Sequence, residues 1–160
     1  MRTTSGKESL HAFIAAENDV LRQFLALLKD EQTSLSSGAT ENLSLISEQK
    51  SKCALQLNSL AAERNSFLTS HGLLTDRSGV EAWLDTHNED KVSRAAWENT
   101  LLLAAEAREL NRINGELIKI RLQYNAKALE ALQGGSNSLD LYGPDGQSTP
   151  FGNRRINDAA

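Results

Sequence analysis

No proline occurs in the first 133 residues; both prolines of the chain, Pro144 and Pro150, lie beyond Gln133. Proline lacks the N–H that a helix ladder needs and its ring clashes with the preceding turn, so a proline-free run of this length leaves room for long helices. Composition turns that room into an expectation. Leu and Ala, which rank near the top of helix propensity, supply most of the apolar content, while aromatics are only 5% of the chain and β-branched strand formers are scarce. After Gln133 the mixture changes to Gly, Pro, Ser and Asn, with five of the ten glycines (Gly134, Gly135, Gly143, Gly146, Gly152), a composition that cannot pack a core. A chain of 160 residues fits one domain. The expectation is a helical bundle domain over 1–133 and a flexible tail over 134–160.

Apolar residues in the first part recur at alternating four- and three-residue intervals, the spacing of a helical seam. Helix one is predicted over 7–35, with the seam Leu10, Ile14, Glu17, Leu21, Phe24, Leu28, Glu31, Leu35. Gly38 then serves as C-terminal cap, and Ser37 or Thr40 is placed to cap the next start. Helix two is predicted over 40–70 through Leu43, Ile46, Cys53, Leu57, Leu60 and Phe67, interrupted by Lys50 and Arg64, whose stems can lie along apolar surface while their charges reach water. Ser78-Gly79-Val80-Glu81 reads as a capping box opening a short connecting helix over 78–87. Helix three is predicted over 91–132. It carries one stripe of Leu103, Leu110, Ile113, Leu117, Ile120, Tyr124 and Ala131, and about 100° around it a second of Ile118, Leu122, Leu129 and Leu132. The second stripe fits either bundle core or a groove for a partner helix. The predicted fold class is all-α: a long antiparallel helical hairpin plus a third long helix in a three-helix coiled bundle, with a short connecting helix and an irregular C-terminal tail.

Charge and motif content point away from most chemistries. The net charge is -4 with both signs interleaved, so no basic patch calls for nucleic acid. Met1-Arg2-Thr3-Thr4-Ser5-Gly6-Lys7 runs straight into amphipathic sequence without an apolar h-region, and no segment approaches the roughly 20 apolar residues of a membrane span. A cytoplasmic location without membrane insertion is expected. The single cysteine, Cys53, has no partner for an internal disulfide and reads as core packing. His11, His71 and His87 fall on separate elements without the i, i+4 partner of a helical zinc site, and His87-Asn88-Glu89-Asp90 reads as a polar loop capping helix three. Glu106 and Glu109, near Arg108 and Arg112, read as a solvated face. With no phosphate loop and no nucleophile elbow, the expectation is a non-enzymatic binding protein with no catalytic residue, metal or cofactor.

Asn111-Arg112-Ile113-Asn114-Gly115-Glu116-Leu117-Ile118, then Ala128-Leu129-Glu130-Ala131-Leu132, then Leu141-Tyr142-Gly143-Pro144-Asp145-Gly146 resemble in order and spacing the FlgN family of flagellar type III export chaperones. Leu27-Leu28, Glu31, Lys52, Leu60, Arg64 and Gly72 fit as well, so the resemblance covers most of the chain. It implies a cytoplasmic chaperone that binds a C-terminal helical segment of hook-filament junction (hook-associated) proteins and delivers them to the flagellar export gate or ATPase complex. The alternative is a coiled scaffold or self-associating helical protein, a homo-oligomer when cargo-free.

The candidate partner-binding residues are Asn111, Asn114, Gly115, Leu117, Ile118, Leu122, Leu129 and Leu132 on helix three, with Leu141, Tyr142 and Gly143 in the tail. Gly115 interrupts good helix formers at about 1 kcal/mol relative to Ala, which calls for a close neighbour, either inside the bundle or on a cargo helix. Asn111 and Asn114 can fix the register of such an interface. Leu139, Leu141, Tyr142 and Phe151 are spaced like a short linear motif, with Gly143-Pro144-Asp145-Gly146 as a turn presenting Tyr142; packing of these residues on the protein's own bundle is the other reading.

Overall fold

In the computed structural model, the backbone is described for residues 2–140 and the side chains for residues 10–134. The described residues form four α-helices and no strand: α1 (Arg2–Ser37), α2 (Leu43–Ser70), α3 (Arg77–Thr86) and α4 (Lys91–Asp140). The chain divides into two compact units, Met1–Leu117 and Ile118–Ala160, and α4 contributes to both.

In the first unit α1 and α2 lie in close main-chain contact. Their relation is defined by two ion pairs made from the residues that break the apolar seams. Both carboxylate oxygens of Glu17 accept from Arg64 Nη1 at 2.5 and 2.6 Å, and both of Glu31 accept from Lys50 Nζ at 3.0 and 3.1 Å. As the α1 number rises from 17 to 31 the α2 number falls from 64 to 50, so the two helices run antiparallel in a single register. Lys50 and Arg64 were expected to carry their charges to water. Instead those charges are mostly covered, because Glu17 and Glu31 are buried opposite them.

α4 completes both polar layers. Arg64 lies over the Trp97 ring, 5.5 Å from its centroid, and Asn18 of α1 donates to Thr100 Oγ1 at 3.2 Å. Fourteen residues further along each helix, Asn114 donates to Leu28 O and to Glu31 Oε1, both at 2.8 Å, while Asn111 accepts from Lys50 at 3.5 Å. Apolar clusters accompany the layers. Leu10, Ile14, Leu68, Val80, Leu84 and Trp97 bring all four helices together, and Leu25, Leu28, Ala107 and Leu110 join α1 to α4. The short helix α3 is thus more than a connector, since its Val80 and Leu84 are core residues.

The helix ends show local chemistry only partly anticipated. Gly38, at φ 80°, closes α1 with a bond from its N–H to Ser34 O, as its capping role requires. α2 starts at Leu43 with Asn42 at the cap position and no side-chain cap bond, so neither Ser37 nor Thr40 serves there. Asp76, not Ser78, caps α3: its carboxylate accepts from Gly79 N–H at 3.1 Å and from the Ser78 hydroxyl at 2.5 Å. The Ser78 hydroxyl, helped by the Gly79 N–H, holds the Asp76 carboxyl below the usual carboxylate range. Asp90 caps α4 by accepting from Ser93 N–H at 3.0 Å, the polar-loop role expected of that segment. α4 also does not stop near Leu132 but runs to Asp140 through Gly134 and Gly135. Two glycines weaken a helix by about 1 kcal/mol each without forbidding it, and the nearest proline, Pro144, lies beyond. Residues 141–160, which hold the rest of the expected tail, fall outside the described residues.

Two stop signals share one pattern. Phe67-Leu68-Thr69-Ser70-His71 ends α2 and Trp83-Leu84-Asp85-Thr86-His87 ends α3. In each, the hydroxyl donates to the carbonyl of the aromatic residue three back (2.7 and 2.8 Å), and the histidine Nδ1 meets the same carbonyl at 2.8 Å. A carbonyl only accepts, so Nδ1 carries the proton in both rings. Each ring also packs on its aromatic, His71 on Phe67 at 4.3 Å and His87 stacked on Trp83 at 4.0 Å. The histidines thus satisfy helix-end carbonyls left without intrahelical partners.

Two predictions follow from this packing. A Cβ at Gly79 would fall 1.7 Å from Leu74 O, a main-chain atom with no freedom to yield, so Gly79→Ala should lower unfolding free energy by about 2 kcal/mol or more in urea titrations. Burial holds the Glu17 carboxyl above its ordinary range, and the Arg64 charge offsets this only in part. Arg64 serves both oxygens from one nitrogen and leaves its buried Nε without a partner. A raised folded-state pKa gives a stabilising contribution that is complete below the unfolded value and lost as pH rises through the folded value. Urea unfolding of wild type and Glu17→Gln at acid and neutral pH should therefore show the wild type losing stability relative to the variant as pH rises.

Candidate partner-binding surface

The second half of α4 is built differently from the first. As far as Asn114, α4 repeatedly places side chains in the core: Ser93, Trp97, Thr100, Ala107, Leu110 and Asn114 are buried, and Leu103 between Thr100 and Ala107 is half-buried against the Leu25 and Leu28 cluster. Leu117 is half-buried. From Ile118 to Leu132 no residue is buried, yet large apolar residues continue to recur. Ile120, Leu122, Tyr124, Leu129 and Leu132 are between 59 and 71% exposed, and Ile118 is 40% exposed. Ile120, Tyr124 and Ala131, which continue the stripe of Leu103 and Leu110 in sequence, are thus exposed where Leu110 is buried and Leu103 half-buried. At 100° per residue the centre of Ile120, Tyr124 and Ala131 lies roughly 140° from that of Ile118, Leu122, Leu129 and Leu132. An apolar surface of this extent on a helix is the usual mark of an interaction site.

The expected site residues do not fall in one place. Ile118, Leu122, Leu129 and Leu132 lie together on one exposed stripe. Asn114 does not belong with them: it is 1% exposed, and its amide donates to Leu28 O and Glu31 within the fold. Its register role is internal, because one amide bonds both the Leu28 carbonyl and the Glu31 carboxylate of α1. Asn111 stands at the rim of the same layer, exposed, next to Lys50. Gly115 is exposed with nothing within 4 Å of the position a Cβ would take, so close packing inside the bundle does not account for it. Leu141, Tyr142 and Gly143 lie outside the described residues.

Ile120 and Tyr124 belong to the exposed surface, although they were not among the expected site residues. Their signal lay in helix length: 42 predicted residues of helix three cannot all be covered by a first helix of 29, a mismatch readable from the predicted bounds. The acids of α4 are used on the surface, Glu106 near Lys29 Nζ at 3.3 Å and Glu109 with Arg112 at 2.7 Å, which agrees with a solvated face. The Arg112 guanidinium holds the Glu109 carboxyl below its usual range. A surface groove of about 420 Å³ between α1 and α2, lined by residues that include Gln23, Leu27, Lys52 and the buried Cys53, had no counterpart in the sequence reading. No described helix is long and apolar enough to cross a membrane.

Because Gly115 has open space around it in the middle of a helix, Gly115→Ala should raise unfolding free energy by about 0.5 to 1 kcal/mol. An unchanged or lower urea midpoint would show that the helix needs glycine for its own folding.

Comparison with known proteins adds one match. A sequence profile described as FlgN protein matches residues 1–150. No curated protein and no solved structure matches the chain. The profile spans both the buried register layers and the exposed end of α4, and the chain belongs to the FlgN family of flagellar export chaperones.

Proposed function

We propose that this protein is a cytoplasmic, substrate-specific chaperone that binds hook-associated junction proteins before export and delivers them to the flagellar type III export apparatus. One observation carries the reading: apolar residues at helical spacing from Ile118 to Leu132 stand exposed on α4. An amphipathic cargo helix laid on such a stripe buries apolar area on both partners, at roughly 25 cal/mol per Å² before the costs of association. Binding of this kind needs no catalytic group. It also shields the cargo's own apolar helix from aggregation while it waits for export.

On this reading the chain works as a hairpin of α1 and α2 with α4 as third member of a coiled bundle, the hairpin serving as scaffold and the later part of α4 as the cargo site. Gly115, at the entrance to that site and open on its surface, admits close approach of a cargo helix. Leu141, Tyr142 and Gly143 form the docking motif for the export gate or ATPase complex.

The test is capture of the C-terminal helical segment of a junction protein by the full chain. Leu122→Asp with Leu129→Asp should weaken capture at least about tenfold while leaving helicity and urea midpoint close to wild type, since neither residue is buried. Unaltered capture by this variant would move the cargo site elsewhere. The other reading, a self-associating scaffold, draws on the same exposed stripes and predicts a homo-oligomer whose size does not change when the cargo segment is added.

A further inference from the structure

Asn114-Gly115 is the one place in the chain where glycine follows asparagine. Asparagine is chemically labile: the main-chain nitrogen that follows it attacks the side-chain carbonyl carbon, and glycine, with no Cβ, hinders that approach least. As Gly115 N loses its proton and bonds to Asn114 Cγ, the Cγ–Nδ2 bond breaks and Nδ2 leaves as ammonia. The resulting succinimide takes up one water and opens to aspartate or isoaspartate. Packing does not account for the glycine, because nothing lies within 4 Å of the position a Cβ would take.

The fold holds this reaction in check. Ring closure needs the main chain at Asn114 to leave helical geometry, whereas residues 114 and 115 lie inside α4, where the Gly115 N–H belongs to the helix ladder. The side chain is fixed as well. Asn114 is 1% exposed, and Nδ2, the atom that must depart, donates to Leu28 O and Glu31 Oε1, both at 2.8 Å. The products do not fit the place the asparagine leaves. An ionised aspartate has no N–H for Leu28 O and sets a second carboxylate against Glu31, which already accepts from Lys50. An isoaspartate adds a methylene to the main chain and interrupts the ladder of α4. A buried acceptor without a donor and a buried acid beside another both weigh against the folded state.

We propose that Asn114-Gly115 is a self-inactivation site: it is protected while Asn114 sits in its layer, deamidates when α4 opens from α1, and then bars that copy from regaining its register. Opening is thereby coupled to a covalent step without return, and the frequency of opening sets how long a copy stays foldable. The inference goes beyond the partner-binding reading above and stands without it.

The experiment incubates the full chain at mildly alkaline pH, in buffer and in denaturing urea, and follows amide-to-acid conversion and isoaspartate at each asparagine by peptide mass spectrometry. Conversion at Asn114 should run about tenfold or more slower in buffer than in urea, because only the opened fraction reacts. In urea, Gly115→Ala should slow it by about tenfold or more, since a Cβ then crowds the attacking nitrogen. Two samples test the consequence: the Asn114→Asp variant, and wild-type chain converted in urea and returned to buffer. Each should unfold at a lower urea concentration than unconverted wild type, or fail to regain wild-type helicity by circular dichroism. Equal rates at Asn114 in buffer and in urea overturn protection by the fold. Conversion in urea led by another asparagine, such as Asn58 or Asn65, overturns the site. A wild-type midpoint in both the variant and the converted chain overturns the inactivation.

Discussion

Two buried ion pairs hold the register on which the first unit depends. Glu17 with Arg64 and Glu31 with Lys50 join α1 to α2 across their apolar seams. Sliding α2 by one heptad places Glu17 opposite Leu57 and Glu31 opposite Leu43, leaving both acids buried against leucine. An uncompensated buried charge costs several kcal/mol, whereas apolar contacts alone would barely distinguish one heptad register from the next. The pairs thus act more through specificity than through net stability. Glu17 shows the distinction directly, since its burial outweighs the attraction of Arg64.

The same layers position α4. Trp97 receives the Arg64 guanidinium on its face, and Asn114 bridges Leu28 O and Glu31 Oε1. Asn114 is confined to this place because few other side chains supply a short donor to a carbonyl and a carboxylate together. Once α4 is aligned in this way, the first unit closes at Leu117. Apolar residues beyond that point are surplus to its core. An exposed binding stripe is then a result of helix lengths as much as of residue chemistry.

The corner between α2, α3 and α4 shows how local signals cooperate with packing. Each helix end uses an aromatic, a leucine, a hydroxyl and a histidine in the same order, and the two leucines, Leu68 and Leu84, are core residues of one cluster. Gly79 allows the main chain at Leu74 to pass against the first turn of α3, where any Cβ would collide with it. Stop signal, tight crossing and core contribution are thereby combined within about twenty residues.

Much of this was legible without coordinates. Absence of proline before Gln133, abundance of Leu and Ala, and the four-and-three spacing determine an all-helical chain with breaks near Gly38 and Gly72, because these are properties of local backbone and side-chain sterics. The exposed residues Ile118, Leu122, Leu129 and Leu132 were also recognisable as more apolar surface than one seam requires. What the sequence could not determine by itself was pairing across space. Glu17, Glu31, Lys50 and Arg64 look alike in sequence whether they reach water or one another, and only the antiparallel placement of α1 and α2 brings each acid to its base. Asn114 and Gly115, adjacent in sequence, separate into core and surface for the same reason: a helical residue's environment is decided by which neighbours face it. The tertiary structure alone supplies those neighbours.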